Sequence, residues 1–182
     1  MILAAIPLFQ REGYAAASWR RLVQESGAPW GSAHHYFPNG KEQLAAAALE
    51  LAAREVAAFF ALCFTDGGDA GDAVRELFSR TATRLAKSDF AAGCPVCGVA
   101  LETAAQSAKM REACEGAFSL WRATLAAGLA RCGVASETAR LLAFTILAAF
   151  EGALVQARVA RSEEPLRVCA DAMARLCANL AD

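Results

Sequence analysis

The stretch SWRRLVQESGAPWGSAHHYFPNGKE, residues 18–42, decides the fold. Residues 18–26 and 29–36 each read as a helix of little more than two turns. Gly27 stands between them, where a tight turn needs a positive φ that any Cβ makes costly. Leu22 and Val23 face inward from the first of the pair. A short helix, a glycine-bearing turn and a second short helix is the grammar of a helix-turn-helix. Helices this short are marginal in water, so tertiary contacts have to hold them. In the second helix Gly31 and Ser32 are small enough to let the backbone approach a phosphate or a base edge, and His34, His35 and Tyr36 offer donors at its end. Lys41 falls in the first turn of the following helix, whose unpaired amides already favour an anion.

Outside this stretch apolar residues recur with helical period and no run alternates cleanly, so the fold class is all-α. Glycine and proline at Gly13, Gly67-Gly68, Gly93-Cys94-Pro95, Gly133 and Pro165 punctuate the chain. Together the marks predict about nine helices, near residues 2–12, 18–26, 29–36, 40–63, 72–87, 99–107, 108–132, 136–161 and 165–180. Gly13 reads as the glycine that ends the first helix. Asn39 with Glu42 reads as a capping box opening the fourth. The short helices give way to long ones after residue 45, which divides the chain into a helix-turn-helix domain, 1–45, and a ligand-binding and dimerisation domain, 46–182.

Composition narrows the function. The chain has 182 residues, 56% hydrophobic and 20% charged, so it has enough apolar surface to offset the entropy of ordering. A mean hydropathy of +0.29 is high for a soluble monomer and points to apolar faces shared with a second subunit. The net charge of −1 advertises no global field for a nucleic acid, so that signal has to be local. The longest charge-free apolar run in the C-terminal half, Leu141 to Phe150, is half of what a bilayer needs, and no membrane partner is expected. Met1 to Pro7 carries no basic leader, and a cytoplasmic protein with reduced thiols is the expectation for its seven cysteines.

The string Gly27-x3-Gly31-Ser32-x-His34-His35-Tyr36-Phe37-Pro38-x-Gly40-Lys41-Glu42-x-Leu44 resembles the DNA-binding domain of the TetR family of transcriptional repressors, over about residues 2–44. Gly93-Cys94-Pro95-Val96 with Val99-Ala100-Leu101-Glu102 is similar to the LmrA/YxaF-like branch of that family. The resemblance implies a cytoplasmic homodimer that binds a double-stranded operator, needs no cofactor, and releases DNA when a small molecule enters a C-terminal pocket. The residues it assigns to DNA are Ser18, Arg20, Pro29, Trp30, Gly31, Ser32, His34, His35, Tyr36 and Lys41. Some positions depart from the family pattern. Trp30 stands where a basic or polar residue is common, and Pro29 where Ser or Thr often caps the recognition helix. Ala33 replaces a larger apolar residue, and no basic arm precedes Ile2.

Several stretches admit more than one reading. His34 and His35 point about 100° apart on a helix and make a poor metal pair, so no metal is expected. Trp30 either faces the groove or covers the helix junction. Arg20 and Arg21 are phosphate contacts or solvated charges. Cys94-Pro95-Val96-Cys97 is a single CxxC, short of a zinc set. A thiol redox enzyme or a redox-sensing regulator is the alternative reading. The all-helical alkylhydroperoxidase D-like enzymes carry such a motif with a Glu before it and a His after it, where this chain has Ala91 and Leu101. The remaining cysteines, Cys63, Cys114, Cys132, Cys169 and Cys177, fall on apolar stripes as small core residues.

In the second half, Phe60, Phe78, Phe118, Trp121, Phe144 and Glu151 are the candidate lining of a pocket for a hydrophobic or aromatic effector, or ordinary core. Glu102 and Arg122 could orient such a ligand or form solvated pairs. Residues 136–161 are apolar almost all round and residues 165–180 on one side. Leu142, Ile146, Phe150, Leu166, Met173 and Leu176 are therefore the candidate dimer interface, with packing inside one chain as the competing reading.

Overall fold

A computed structural model describes residues 1–180. Over these it has nine helices: α1 (Ile2–Ala16), α2 (Trp19–Ser26), α3 (Trp30–Tyr36), α4 (Gly40–Cys63), α5 (Ala70–Lys87), α6 (Pro95–Thr103), α7 (Ala108–Arg131), α8 (Ser136–Ala160) and α9 (Glu164–Leu180). No strand occurs among the described residues. The chain folds as two compact units. The first comprises Met1–Glu55 and Cys94–Phe118, and the second Val56–Gly93 and the helices from Ser119 onward. Division by packing and division by role need not coincide. Here α6 and the first half of α7 pack with the helix-turn-helix.

In the first unit, α1 buries Ala5, Ile6, Leu8 and Phe9 and leaves Pro7 on the exposed side, where its missing N–H does least harm. Gly13 interrupts α1 at φ 80°, as its place in the sequence predicts, and one further turn follows. Ser18 caps α2, its Oγ accepting the Arg21 N–H at 3.3 Å. Gly27 closes α2 in the left-handed region at φ 64°, its N–H reaching the Gln24 carbonyl at 3.1 Å. Leu22 and Val23 are buried, as read.

The predicted capping box does not form. The Asn39 N–H is accepted by Gln43 Oε1 at 3.1 Å, and Glu42 instead accepts the Ser107 hydroxyl at 2.5 Å. A tertiary donor just before α7 has drawn the carboxylate away from its local partner.

In the second unit, α5 and α9 pack along one another and α8 lies against α9. Asp69 caps α5 through the Asp72 N–H at 2.8 Å. Phe60, Trp121, Phe78 and Phe150 form an aromatic cluster with centroids 5.4 to 6.1 Å apart, Phe150 meeting Phe60 and Phe78 edge-on. That geometry sets the positive ring edge against the negative face.

The candidate dimer residues divide by burial. Leu142, Ile146, Phe150 and Leu166 are buried within their own chain, and Met173 and Leu176 are half-buried. Leu142, Ile146 and Phe150 of α8 and Leu166 of α9 thus pack inside the chain, while Met173 and Leu176 of α9 keep part of their surface open. The opposite side of α8 is left apolar and exposed: Leu141, Phe144, Ala148, Gly152, Val155 and Val159. This also explains why α8, the one helix among the described residues long and apolar enough by composition to cross a bilayer, is only 44% buried over its most apolar window. Charge-free length alone missed it, since Glu151 interrupts the run.

All seven cysteines are thiols. Cys63, Cys114 and Cys177 are buried as expected, whereas Cys132 and Cys169 are half-exposed. Cys132 sits past the end of α7, with its sulfur on the Thr65 carbonyl at 3.5 Å.

Candidate nucleic-acid interface

Helix α3 buries one residue. Ala33 is fully buried, and its small side chain brings the helix backbone close to the core beneath it. Every other α3 position is exposed except Ser32, which is half-buried. Nothing lies within 4 Å of where a Gly31 Cβ would sit. Tyr36 is 70% and Trp30 51% exposed. Pro29 occupies the N-cap of α3 and is also exposed. The face is thus a row of outward groups on a seven-residue rod, with glycine at the position where a partner can come closest.

Aromatic packing stiffens this rod. The His34 ring lies 5.7 Å from Trp19 of α2 and 5.9 Å, edge-on, from Trp30. Trp30 therefore covers part of the helix junction while half of it stays open. His35 and Tyr36 meet edge-on at 5.2 Å. The Trp19 indole N–H is buried without an acceptor, a desolvation cost of about 1–3 kcal/mol borne next to α3.

The basic groups divide. Arg20 is exposed at the start of α2, beside Ser18. Arg21 is engaged elsewhere: its guanidinium forks onto both carboxylate oxygens of Glu12 and lies 3.9 Å from Glu25. Its charge is used inside the unit. Lys41 also turns inward. Its Nζ donates to the Tyr14 carbonyl at 2.5 Å and sits 4.0 Å over the Tyr14 ring. Burial pulls the Lys41 pKa down, opposed by the nearby Glu102 carboxylate. The Tyr14 phenol is pushed up, by burial first and Glu42 second.

Glu102 makes a contact that the sequence does not announce. Its two carboxylate oxygens accept the backbone N–H groups of Tyr14 at 3.0 Å and Ala15 at 2.6 Å. These are the first amides after the break at Gly13, and a Cβ on Gly13 would collide with the same carboxylate. Helix α6 thereby holds the end of α1 through charge-assisted bonds. Beside this clasp a cleft of about 540 Å³ opens, lined among others by Tyr14, Glu42, Glu102 and Met110. The partners of the clasp lie 87 and 88 residues apart, so no local pattern announces it.

The proposed effector lining is only partly brought together. Phe60, Phe78 and Trp121 meet in the aromatic cluster, and both Glu151 carboxylate oxygens are buried in the same unit. Phe144 lies on the outer side of α8 beneath the Arg122 guanidinium, 4.7 Å from its ring. Phe118 falls in the other compact unit.

The comparisons with known proteins agree with this geometry. Residues 2–48 match the bacterial regulatory proteins of the tetR family, and residues 70–172 match the C-terminal domain of LmrA/YxaF-like transcriptional regulators. An uncharacterized HTH-type transcriptional regulator of Bacillus subtilis (strain 168), YxaF, is 34% identical over 164 residues, 90% of this chain and 86% of its own length. The HTH-type transcriptional regulator LmrA of the same organism is 29% identical over 166 residues, 91% of this chain and 88% of its own. The crystal structure of a regulatory protein TetR from Rhodobacter sphaeroides superposes with a TM-score of 0.84 at 23% identity, over 96% of this chain and 95% of that one, which supports the fold.

Proposed function

The chain belongs to the TetR family of DNA-binding transcriptional regulators, with an LmrA/YxaF-like C-terminal domain, and from that premise we propose that it is a homodimeric cytoplasmic repressor released from its operator by a hydrophobic small molecule. Residues 1–45 read the operator and residues 46–182 bind the effector and the second copy. The observation that carries this reading is the α3 face, with Ala33 as its one buried residue and open at Gly31. A side-chain-free position in the middle of an outward face lets the rod sink into a major groove, where Trp30, His34, His35 and Tyr36 border the bases. Ser18 and Arg20 take phosphates across the groove edge. Lys41, with its ammonium on the Tyr14 carbonyl, acts from behind by holding α1 against the start of α4.

The second copy takes the exposed stripe of α8, spaced four and three residues apart from Leu141 to Val159, together with Val168 of α9. That spacing is the seam of two helices packed side by side. A twofold pair carries two α3 helices to half-sites one helical turn apart, about 34 Å. The effector acts by preferring the conformer that does not fit DNA.

The experiment is a binding titration against an operator selected from random duplexes, repeated across salt concentrations. A steep linear fall of log affinity with log salt is expected, as phosphate contacts displace counterions. Affinity that is absent, or flat in salt, would overturn the reading.

A further inference from the structure

The CxxC that the regulator function leaves unused has a specific setting. Cys94 is the N-cap of α6, and its Sγ accepts the backbone N–H of Cys97 at 3.4 Å. Pro95 fills the first helical position, fixing the turn between the two thiols. Both sulfur-bearing residues are partly exposed. Helix geometry puts Cα atoms three residues apart at about 5 Å, inside the window a disulfide needs. A third thiol, Cys114 of α7, is buried in the same unit with its sulfur 3.9 Å from the Val96 carbonyl. Its pKa is pushed up to about 11, by burial first and the neighbouring Cys97 second.

We infer that Cys94 and Cys97 form a peroxide-reactive dithiol, with Cys94 as the attacking thiolate and Cys97 as the resolving thiol, and that its closure weakens operator binding. The backbone N–H and the positive end of α6 both stabilise a negative sulfur at Cys94. Cys114 is held protonated in the interior and takes no part. In the first step the Cys94 thiolate attacks a hydroperoxide. The S–O bond forms, the O–O bond breaks, and the leaving alkoxide takes up a proton, so sulfur is oxidised by two electrons and the peroxide is reduced to an alcohol. In the second step Cys97 attacks the sulfenic sulfur. The S–S bond forms, the S–O bond breaks, and water leaves with the Cys97 proton.

The consequence runs along α6. Closure removes the sulfur acceptor that caps the helix, while the last turn of the same helix holds α1 through Glu102. Gly98, between them, has its Cβ direction 3.8 Å from the Phe9 carbonyl of α1. With α6 in direct contact with α1, and α1 with α2, a shift of nine residues reaches the helix-turn-helix without leaving the unit.

The test exposes the full reduced chain to cumene hydroperoxide and maps its thiols by alkylation and mass spectrometry. The expected result is loss of two hydrogens on the peptide bearing Cys94 and Cys97, reversed by dithiothreitol and blocked by Cys94→Ser. Serine is a good helix cap, so that variant keeps the fold. Cys97→Ser should instead trap a sulfenic acid on Cys94 that dimedone captures. Dimedone on Cys114, or no reaction at peroxide levels that oxidise free cysteine, overturns the dithiol. The regulatory half rests on the operator reading. Oxidation should weaken binding to the selected operator by about tenfold in the wild type and not in Cys94→Ser. A disulfide that leaves affinity unchanged overturns that half. A reduced protein with no operator affinity refutes the operator reading instead, and the thiol map still decides the chemistry.

Discussion

On the proposed operator reading, Gly31 serves affinity at the expense of stability. Glycine inside a helix costs about 1 kcal/mol relative to alanine, and nothing near its Cβ position demands it. Gly31→Ala should therefore raise the stability of the fold by about 0.5–1 kcal/mol in chemical denaturation. Gly31→Glu should leave the melting temperature nearly unchanged and abolish operator binding. A large loss of stability in either would mean that the position is structural. Gly13 makes the opposite case. It combines φ 80° with a carboxylate in the space a Cβ would take. Gly13→Ala should cost about 1–3 kcal/mol, seen as a lower denaturation midpoint.

At the scale of the elements, the clasp between α6 and α1 is the contact with the clearest consequence. Removing the Glu102 carboxylate leaves the Tyr14 and Ala15 amides without their acceptors. Glu102→Ala should speed hydrogen exchange at those two amides well beyond their neighbours and lower stability by about 1–3 kcal/mol. Unchanged exchange there would show that the bonds do not form in solution. Helix positions and most ends were legible from sequence because they are written locally. Gly13 and Gly27 each break or end a helix through their own backbone conformation. The failures involve distant competition. Glu42 matched a capping box, but its better partner, Ser107, lies 65 residues away. Lys41 reads as a charge for phosphate and Arg21 as that or a solvated charge, and their partners Tyr14 and Glu12 come from a different helix. For α8, periodicity could not say which side meets its own chain, because apolar residues surround the helix.

For the whole molecule two expectations follow. The exposed stripe on α8 should be the surface that joins two copies. Val155→Glu with Val159→Glu should convert the dimer to a monomer in light scattering and weaken operator binding while α3 stays intact; a double variant that remains dimeric places the interface elsewhere. The second concerns pH. Cys114 and Cys177 are each raised from 9.0 to about 11, chiefly by burial. A thiol with a raised folded pKa gives up its proton first in the unfolded chain. The stability tied to those protons is intact below pH 9 and drains away as pH climbs toward 11. Cys114→Ala and Cys177→Ala should each flatten that alkaline limb of the stability profile. An unaltered limb would show that neither thiol is desolvated.

The proposed repressor function depends on α3 entering DNA as one of a matched pair. The most direct measurement captures genomic fragments with the purified chain and with its Gly31→Glu variant, then sequences both pools. The wild type should enrich a palindromic sequence whose halves are one helical turn apart, and the variant should enrich nothing. A wild-type pool without such a repeat, or a variant pool that matches it, would contradict the account.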